Sequence, residues 1–190
     1  MSILSISEND KLQIDTAASQ AEDNAGYYTN ISDSIVKTYS EDLDKLMARI
    51  YEDCVNVEPS DKTLEAYTME LSNALYFIGA RVESVGIKED LTKMAAKEAY
   101  NDAYLNHMDV ADAKKKPTVA ELTALSEDDS KYQQVINSIY TRVYKQLKYK
   151  VDSAYEMLNS LRKVISRRMQ ESQLSTMRSS GGVVYGKEEF

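Results

Sequence analysis

Apolar residues recur at helical spacing through most of the chain. Between residues 34 and 54 they follow one another at intervals of four, four, three and four residues, at Ile35, Tyr39, Leu43, Leu46 and Ile50. This spacing predicts an amphipathic helix, which we expect to end before Pro59. A second stripe comprises Leu64, Tyr67, Leu71, Leu75, Ile78, Val82 and Val85. Gly86 follows it and fits the position just after a helix end, where glycine is favoured.

The middle of the chain predicts shorter elements. A further helix is expected to carry Leu91, Met94, Ala95, Ala99 and Leu105 and to fade between 107 and 116. Residues 114–117, Lys-Lys-Lys-Pro, indicate a linker. Thr118 and Glu121 have the spacing of a capping box, which predicts a short helix. Residues 126–129, Ser-Glu-Asp-Asp, repeat that signal and predict the start of the longest helix, from about 127 to about 175.

The last long segment carries a heptad pattern. Intervals of four and three residues alternate along Tyr140, Tyr144, Leu147, Val151, Ala154, Leu158, Leu161 and Ile165. A regular heptad predicts a coiled-coil-like seam, and the oligomerisation residues predicted from it are Tyr140, Tyr144, Leu147, Val151, Leu158, Leu161 and Ile165. Three arrangements fill such a seam: an antiparallel bundle with the helices of residues 64–105, a bundle that also forms a homo-oligomer, or a coiled coil of several chains.

Composition supports a helical fold. The chain has 6 Gly and 2 Pro among 190 residues, too few for the many tight turns of a sandwich or a doubly wound sheet. We therefore predict an all-α helical bundle with one long C-terminal coiled-coil-like helix. The expected organisation is an acidic arm with a break at 24–30, a helical segment, a linker with a short helix, a long basic and aromatic helix, and a flexible tail. These segments span 1–32, 33–113, 114–130, 131–178 and 179–190, respectively.

The charges are unevenly distributed along the chain. The net charge of the whole chain is −8, yet residues 131–178 contain 10 Lys and Arg against 3 Asp and Glu. The overall charge repels nucleic acid and anionic lipid, so only a localised anion site fits.

Catalytic signals are missing from the sequence. Cys54 is the single cysteine and His107 the single histidine, so neither a disulfide within the chain nor a cysteine-based zinc site forms. Neither of the common glycine-rich phosphate loops is present. We expect a protein without enzymatic activity, metal or cofactor. The N-terminal segment has neither the basic nor the apolar region of a secretory signal, and we expect a soluble, cytoplasmic protein without a membrane partner.

The long helix carries basic and aromatic residues away from its seam. In the heptad register they occupy positions b, e, f and g. The predicted nucleic-acid-binding residues are Arg142, Lys145, Lys148, Tyr149, Lys150, Arg162 and Lys163. Cations neutralise phosphates and tyrosine rings stack on bases, which is how single-stranded nucleic acid is bound without reading its sequence. The alternative is that these cations pair with acidic residues of neighbouring helices.

The order of these segments resembles that of a protein family encoded by tailed bacteriophages. The layout consists of a short acidic helix (35–54), a central helix from Leu64-Glu-Ala-Tyr67 to Val85, a lysine-containing connector and the long helix IYTRVYKQLKYKVDSAYEMLNSLRKVISRRM (139–169). It is similar to that of recombination mediators. These proteins load a strand-exchange recombinase onto single-stranded DNA. The resemblance implies a mostly helical, self-associating chain without catalytic residues.

Two functions remain open from the sequence. The first is a DNA-metabolism accessory protein that binds single-stranded DNA or a recombination protein through the basic and aromatic helix. The second is a structural or adaptor protein, in virion assembly or host-factor binding, that acts through protein contacts only.

Overall fold

The chain folds as an all-α helical bundle. We analysed a computed structural model that describes residues 8–56, 58–110 and 117–180. Within these ranges there are four helices and no strand: α1 (Glu8–Asn56), α2 (Asp61–Val110), α3 (Val119–Asp129) and α4 (Lys131–Ser180). None of the helices, over the residues described, contains a stretch apolar enough to cross a membrane.

The chain divides into two compact units. The first comprises Met1–Tyr39 and Arg81–Lys148, and the second comprises Ser40–Ala80 and Tyr149–Phe190. Helices α1, α2 and α4 contribute residues to both units, and α3 lies in the first. The core of the first unit contains Val36, Val85, Val143 and Leu147. The second unit buries Leu43, Ile50, Leu64, Tyr67, Leu71, Leu75, Ile78, Ala154, Leu158 and Leu161.

The predicted stripe of residues 64–85 is confirmed. Six of its seven side chains are buried and Val82 is partly buried. Because each buried aliphatic side chain contributes about 1.5–3 kcal/mol, this stripe is a main source of stability for α2.

The break expected at residues 24–30 is wrong, because α1 continues through it from Glu8. A single glycine, Gly26, costs a helix only about 1 kcal/mol relative to alanine, and no proline is present to interrupt the hydrogen bonds. The inward face of α1 includes Ser32 and Ser40, which are fully buried. The Ser32 hydroxyl donates to the Tyr28 carbonyl at 2.9 Å, and the Ser40 hydroxyl donates to Asp44 at 2.8 Å. Because these two buried residues are polar, the spacing of apolar residues does not reveal this part of the inward face.

The helix end expected at Gly86 is also wrong. Helix α2 runs through this residue to Val110, and Gly86 does not have a positive φ. An added Cβ at Gly86 would lie 3.2 Å from Cε2 of Tyr144 in α4. Glycine therefore serves at this position for the close approach of a tyrosine ring and not for a turn.

The residues Leu91, Met94, Ala95, Ala99 and Leu105 are helical as expected, but they belong to the continuous helix α2 and not to a further one. Only Ala99 is partly buried, and the other four residues are exposed. This part of α2 instead buries Ala96 and Ala103. At helical spacing Ala96 and Ala103 lie on the side of α2 opposite to Leu91, Met94 and Leu105.

One of the two capping signals is confirmed. The Thr118 hydroxyl accepts from the Glu121 backbone N–H at 3.3 Å, and the Glu121 carboxylate accepts from the Thr118 backbone N–H at 2.8 Å. The second signal is wrong, because Ser126 lies inside α3 and its hydroxyl donates to the Leu122 carbonyl at 2.7 Å. Helix α4 begins later, at Lys131. The expected Lys114–Lys116 linker lies outside the described residues, and so do residues 181–190 of the expected tail.

Candidate nucleic-acid interface

The heptad residues of α4 fill the cores of the two units. Leu147, Leu158 and Leu161 are buried, and the other predicted oligomerisation residues, Tyr140, Tyr144, Val151 and Ile165, are partly buried. Leu147 packs in the first unit with Val36, Val85 and Val143. Pairing of this seam with a second chain would require the three leucines to leave the core. The placement favours the arrangement in which helices of the same chain fill the seam.

Lys150 is held by an acidic residue of its own unit. Its ammonium nitrogen lies 2.6 Å from both carboxylate oxygens of Asp44. Both side chains are partly buried, so this ion pair is screened less than a fully exposed one. Lys150 therefore follows the alternative in which cations of α4 pair with acidic residues of neighbouring helices.

The predicted cations of the first unit point to solvent. Arg142, Lys145 and Lys148 are exposed, and the structure gives them no ion pair among the residues it describes. The Lys148 ammonium lies 5.4 Å from the centre of the Tyr144 ring, an arrangement in which the ring face attracts the cation.

Arg142 also lines a groove between α1 and α4 in the first unit. The groove has a volume of about 410 Å³ and is lined by Ala25, Tyr28, Thr29, Ser32, Val135, Ser138, Ile139 and Arg142. Tyr28 is 38% exposed, and its ring meets that of Tyr27 edge to face at 5.6 Å. An aromatic ring and a guanidinium in one groove offer a base a stacking surface and a phosphate a cation. We name this feature the Tyr28–Arg142 groove.

Sequence reasoning missed Tyr27 and Tyr28 because their segment was interpreted as a break. Their position relative to the stripe of α1 was the available signal. Tyr28 precedes Ser32 and Val36 by four and eight residues, which places all three on one side of a continuous helix.

The second unit presents a cationic face on α4. Arg162, Lys163 and Arg167 share a shallow depression with Asn159, Ser166 and Gln170. These six residues are exposed and recur at intervals of three and one, so they lie on one side of the helix. Arg167 is 3.6 Å from Glu171, and both side chains are mostly exposed, so this pair holds the guanidinium only weakly. We name these six residues the Arg162 patch.

Aromatic residues precede the Arg162 patch on α4. Tyr149 is 73% exposed and Tyr155 is 50% exposed. Asp152 and Glu156 are exposed between and beside them. Aromatic surface and positive charge are therefore both present on this part of α4, although two carboxylates interrupt the positive charge.

Arg168 differs from its neighbour Arg167. Its guanidinium donates to the Pro59 carbonyl at 2.6 Å, to Asp61 at 3.0 Å and to Glu58 at 2.9 Å. Glu58 and Pro59 lie in the connection between α1 and α2, and Asp61 is the first residue of α2. Arg168 therefore fixes that connection and is not available to an external anion.

Cys54 and His107 are the residues whose side chains could serve as a nucleophile or a metal ligand. Cys54 is exposed over most of its surface, but partial burial of its sulfur, followed by the charge of the Asp53 carboxylate, raises the pKa of the thiol and disfavours the reactive thiolate. His107 lies in α2, where its Nε2 is 2.7 Å from Asp129. Across the described part of the chain, no three His, Cys, Asp or Glu residues are grouped as a metal would require.

Comparison of the chain with models of known protein families finds no match, and comparisons with curated proteins and with solved structures find no similar chain either.

Proposed function

We propose that this chain is a non-enzymatic accessory protein of phage-type DNA metabolism that binds single-stranded DNA through α4. The contacts would be made by the Arg162 patch and by the Tyr28–Arg142 groove, with Lys145, Lys148 and Tyr149 as further contacts. The observation that carries the proposal is that five of the six predicted cations are exposed without an acidic partner among the described residues. Only Lys150 is removed from the predicted set.

The chemistry of the two surfaces suits a single strand. Exposed cations neutralise phosphates and release the counterions condensed on the strand, and this contribution does not depend on base sequence. Tyrosine rings add stacking, which every base can use. A duplex hides its bases from such rings, so the combination favours single strands. The overall charge of −8 restricts binding to these local surfaces.

A second candidate function is a structural or adaptor role through protein contacts only. The Asp44–Lys150 ion pair supports it, because it shows that a predicted cation can be consumed by the chain itself. Exposed apolar residues on α2, among them Leu91 and Met94, support it as well. Under this function the remaining cations keep the protein soluble or contact an acidic protein.

Charge-matched variants of the full chain test the proposal. The first variant changes Arg162, Lys163 and Arg167 to Gln. The control changes three exposed lysines, Lys37, Lys62 and Lys131, to Gln, which alters the net charge equally. Binding of a labelled single-stranded oligonucleotide is measured by fluorescence anisotropy at several salt concentrations.

The proposal predicts different slopes for the two variants. The first should reduce the slope of log K against log salt by up to about 2, at roughly 0.7 per lost phosphate contact. The control should leave the slope unchanged. Equal effects would indicate nonspecific attraction, and absence of binding by the unaltered chain would leave the adaptor role.

A further inference from the structure

Helix α2 is apolar on two opposite sides between Ile87 and Met108. Ala96 and Ala103 lie on the buried side. The outward side carries five large apolar residues that are 50% to 60% exposed: Ile87, Leu91, Met94, Leu105 and Met108. A soluble chain seldom exposes so many large apolar side chains along a single line unless the line is an interaction surface.

The outward residues form a heptad stripe. Starting at Ile87, the positions 87, 91, 94, 98, 101, 105 and 108 alternate intervals of four and three residues. The two middle positions are polar, Glu98 and Asn101, and both are exposed. At 1.5 Å per residue the stripe extends for about 32 Å, which is three heptads. We name these seven residues the α2 stripe.

We propose that a second copy of this chain packs on the α2 stripe, with the two α2 helices antiparallel. The stripe from Leu91 to Met108 reads as two apolar, two polar and two apolar positions, and it reads the same in the opposite direction. Such a palindrome is self-complementary, which is the property of an interface between identical chains related by a two-fold axis.

The antiparallel register pairs like with like. Leu91 meets Met108 of the second copy, Met94 meets Leu105, and Glu98 meets Asn101. Each layer occurs twice because of the two-fold axis. The asparagine amide can donate to the opposing glutamate carboxylate, so the two polar layers in the centre are satisfied. Polar residues inside a heptad seam commonly fix its register in this way.

The parallel alternative is disfavoured by charge. It would place Glu98 against Glu98 of the second copy inside the seam, where like charges are poorly solvated. It would gain an ion pair between Lys97 and Asp102 at the rim, but both residues are exposed, and exposed pairs contribute little. The antiparallel dimer is therefore the arrangement that the charges favour.

This proposal does not depend on DNA binding. The α4 seam predicted for self-association is filled within one chain, whereas the α2 stripe is open. Self-association thus uses a face of α2 and not the seam of α4.

Mass measurements on the full chain provide the first test. The unaltered chain should sediment as a dimer, at twice 21.5 kDa. Leu91→Glu with Leu105→Glu should give a single chain of unchanged helix content, because both residues point outward. The dissociation constant should rise more than about a hundredfold, since four carboxylates enter an apolar seam.

A control variant carries the same added charge elsewhere. Met69→Glu with Leu174→Glu alters two exposed apolar residues outside the α2 stripe and should remain a dimer. A monomeric unaltered chain, or a dimer that survives the Leu91 and Leu105 changes, overturns the proposal. Dissociation of the control to the same extent also contradicts it.

Cysteine cross-linking tests the orientation. Cys54→Ser removes the single native thiol, and Met94→Cys and Leu105→Cys are then prepared as separate proteins. Under oxidation the mixture should form a disulfide-linked dimer of one of each, while neither protein cross-links alone. Cross-linking of Met94→Cys with itself would show parallel helices, and absence of any cross-link in the mixture would contradict the register.

Discussion

Asp44 on α1 and Lys150 on α4 form an ion pair in which both carboxylate oxygens lie 2.6 Å from the ammonium nitrogen. This ion pair distinguishes Lys150 from the exposed cations that are near it in the sequence. The heptad position of a lysine does not reveal this difference, because it depends on which residue of another helix lies opposite.

Lys150→Gln should lower stability without changing the response of DNA binding to salt. The pair is partly buried, and a double-mutant cycle with Asp44→Asn should give a coupling of roughly 1 kcal/mol. Urea denaturation of the two single variants and the double variant measures it. A reduced slope of log K against log salt for Lys150→Gln would show that this lysine contacts phosphate after all.

Arg167 and Arg168 should separate binding from stability. Arg168→Ala removes the donors to the Pro59 carbonyl, Asp61 and Glu58 and should lower the thermal unfolding midpoint. Arg167→Ala should leave that midpoint nearly unchanged and weaken binding of single-stranded DNA. Thermal unfolding and anisotropy on both variants check the pair, and similar behaviour of the two would contradict their assignment to different roles.

Gly86 and Gly79 lie on the same helix and should respond differently to alanine. Nothing lies within 4 Å of an added Cβ at Gly79, whereas at Gly86 it would be 3.2 Å from the Tyr144 ring. Gly79→Ala should stabilise by about 1 kcal/mol through helix propensity. Gly86→Ala should lose that gain, and a larger residue such as Leu should cost roughly 1–3 kcal/mol through overpacking. Equal stabilisation by both alanines in urea denaturation would mean that the ring does not pack on Gly86.

Ionisation of the Tyr67 phenol should lower the stability of the fold at alkaline pH. Its hydroxyl donates to Asp53 in a nearly buried position, and this hydrogen bond, followed by burial and the Asp53 charge, raises the pKa of the phenol. The phenol ionises at about pH 10 in the unfolded chain. The stabilisation by this hydrogen bond is therefore complete below that pH and is lost as the pH rises through the pKa of the folded state. Urea midpoints between neutral and alkaline pH should fall less steeply for Tyr67→Phe than for the unaltered chain. Parallel curves would contradict the role of this hydroxyl.

The sequence predicts the helical class well because its main stripe is uninterrupted from Leu64 to Val85. It fails where burial depends on small or polar residues. Ser32 and Ser40 are buried through hydrogen bonds within α1, and Ala96 and Ala103 are buried in place of larger neighbours. Gly86 shows the same difficulty, because one residue type serves both a helix end and a close contact.

The candidate interface was only partly predictable. The exposed cations of α4 follow from their positions in the heptad, and the Lys150 partner does not. Tyr28 joins Arg142 in one groove only because α1 continues through residues 24–30. Residues 24–28 are exposed, so that continuity rests on the small cost of one glycine and the absence of proline, which a search for an apolar stripe does not register.

The most direct test of the proposed function is the salt dependence of single-stranded DNA binding by the unaltered full chain. If the exposed cations of α4 contact phosphates, log K should fall linearly with log salt, with a slope between about −2 and −4 for three to six contacts at roughly 0.7 each. Absence of binding at low salt, where attraction is strongest, or an affinity that does not change with salt, would contradict the account.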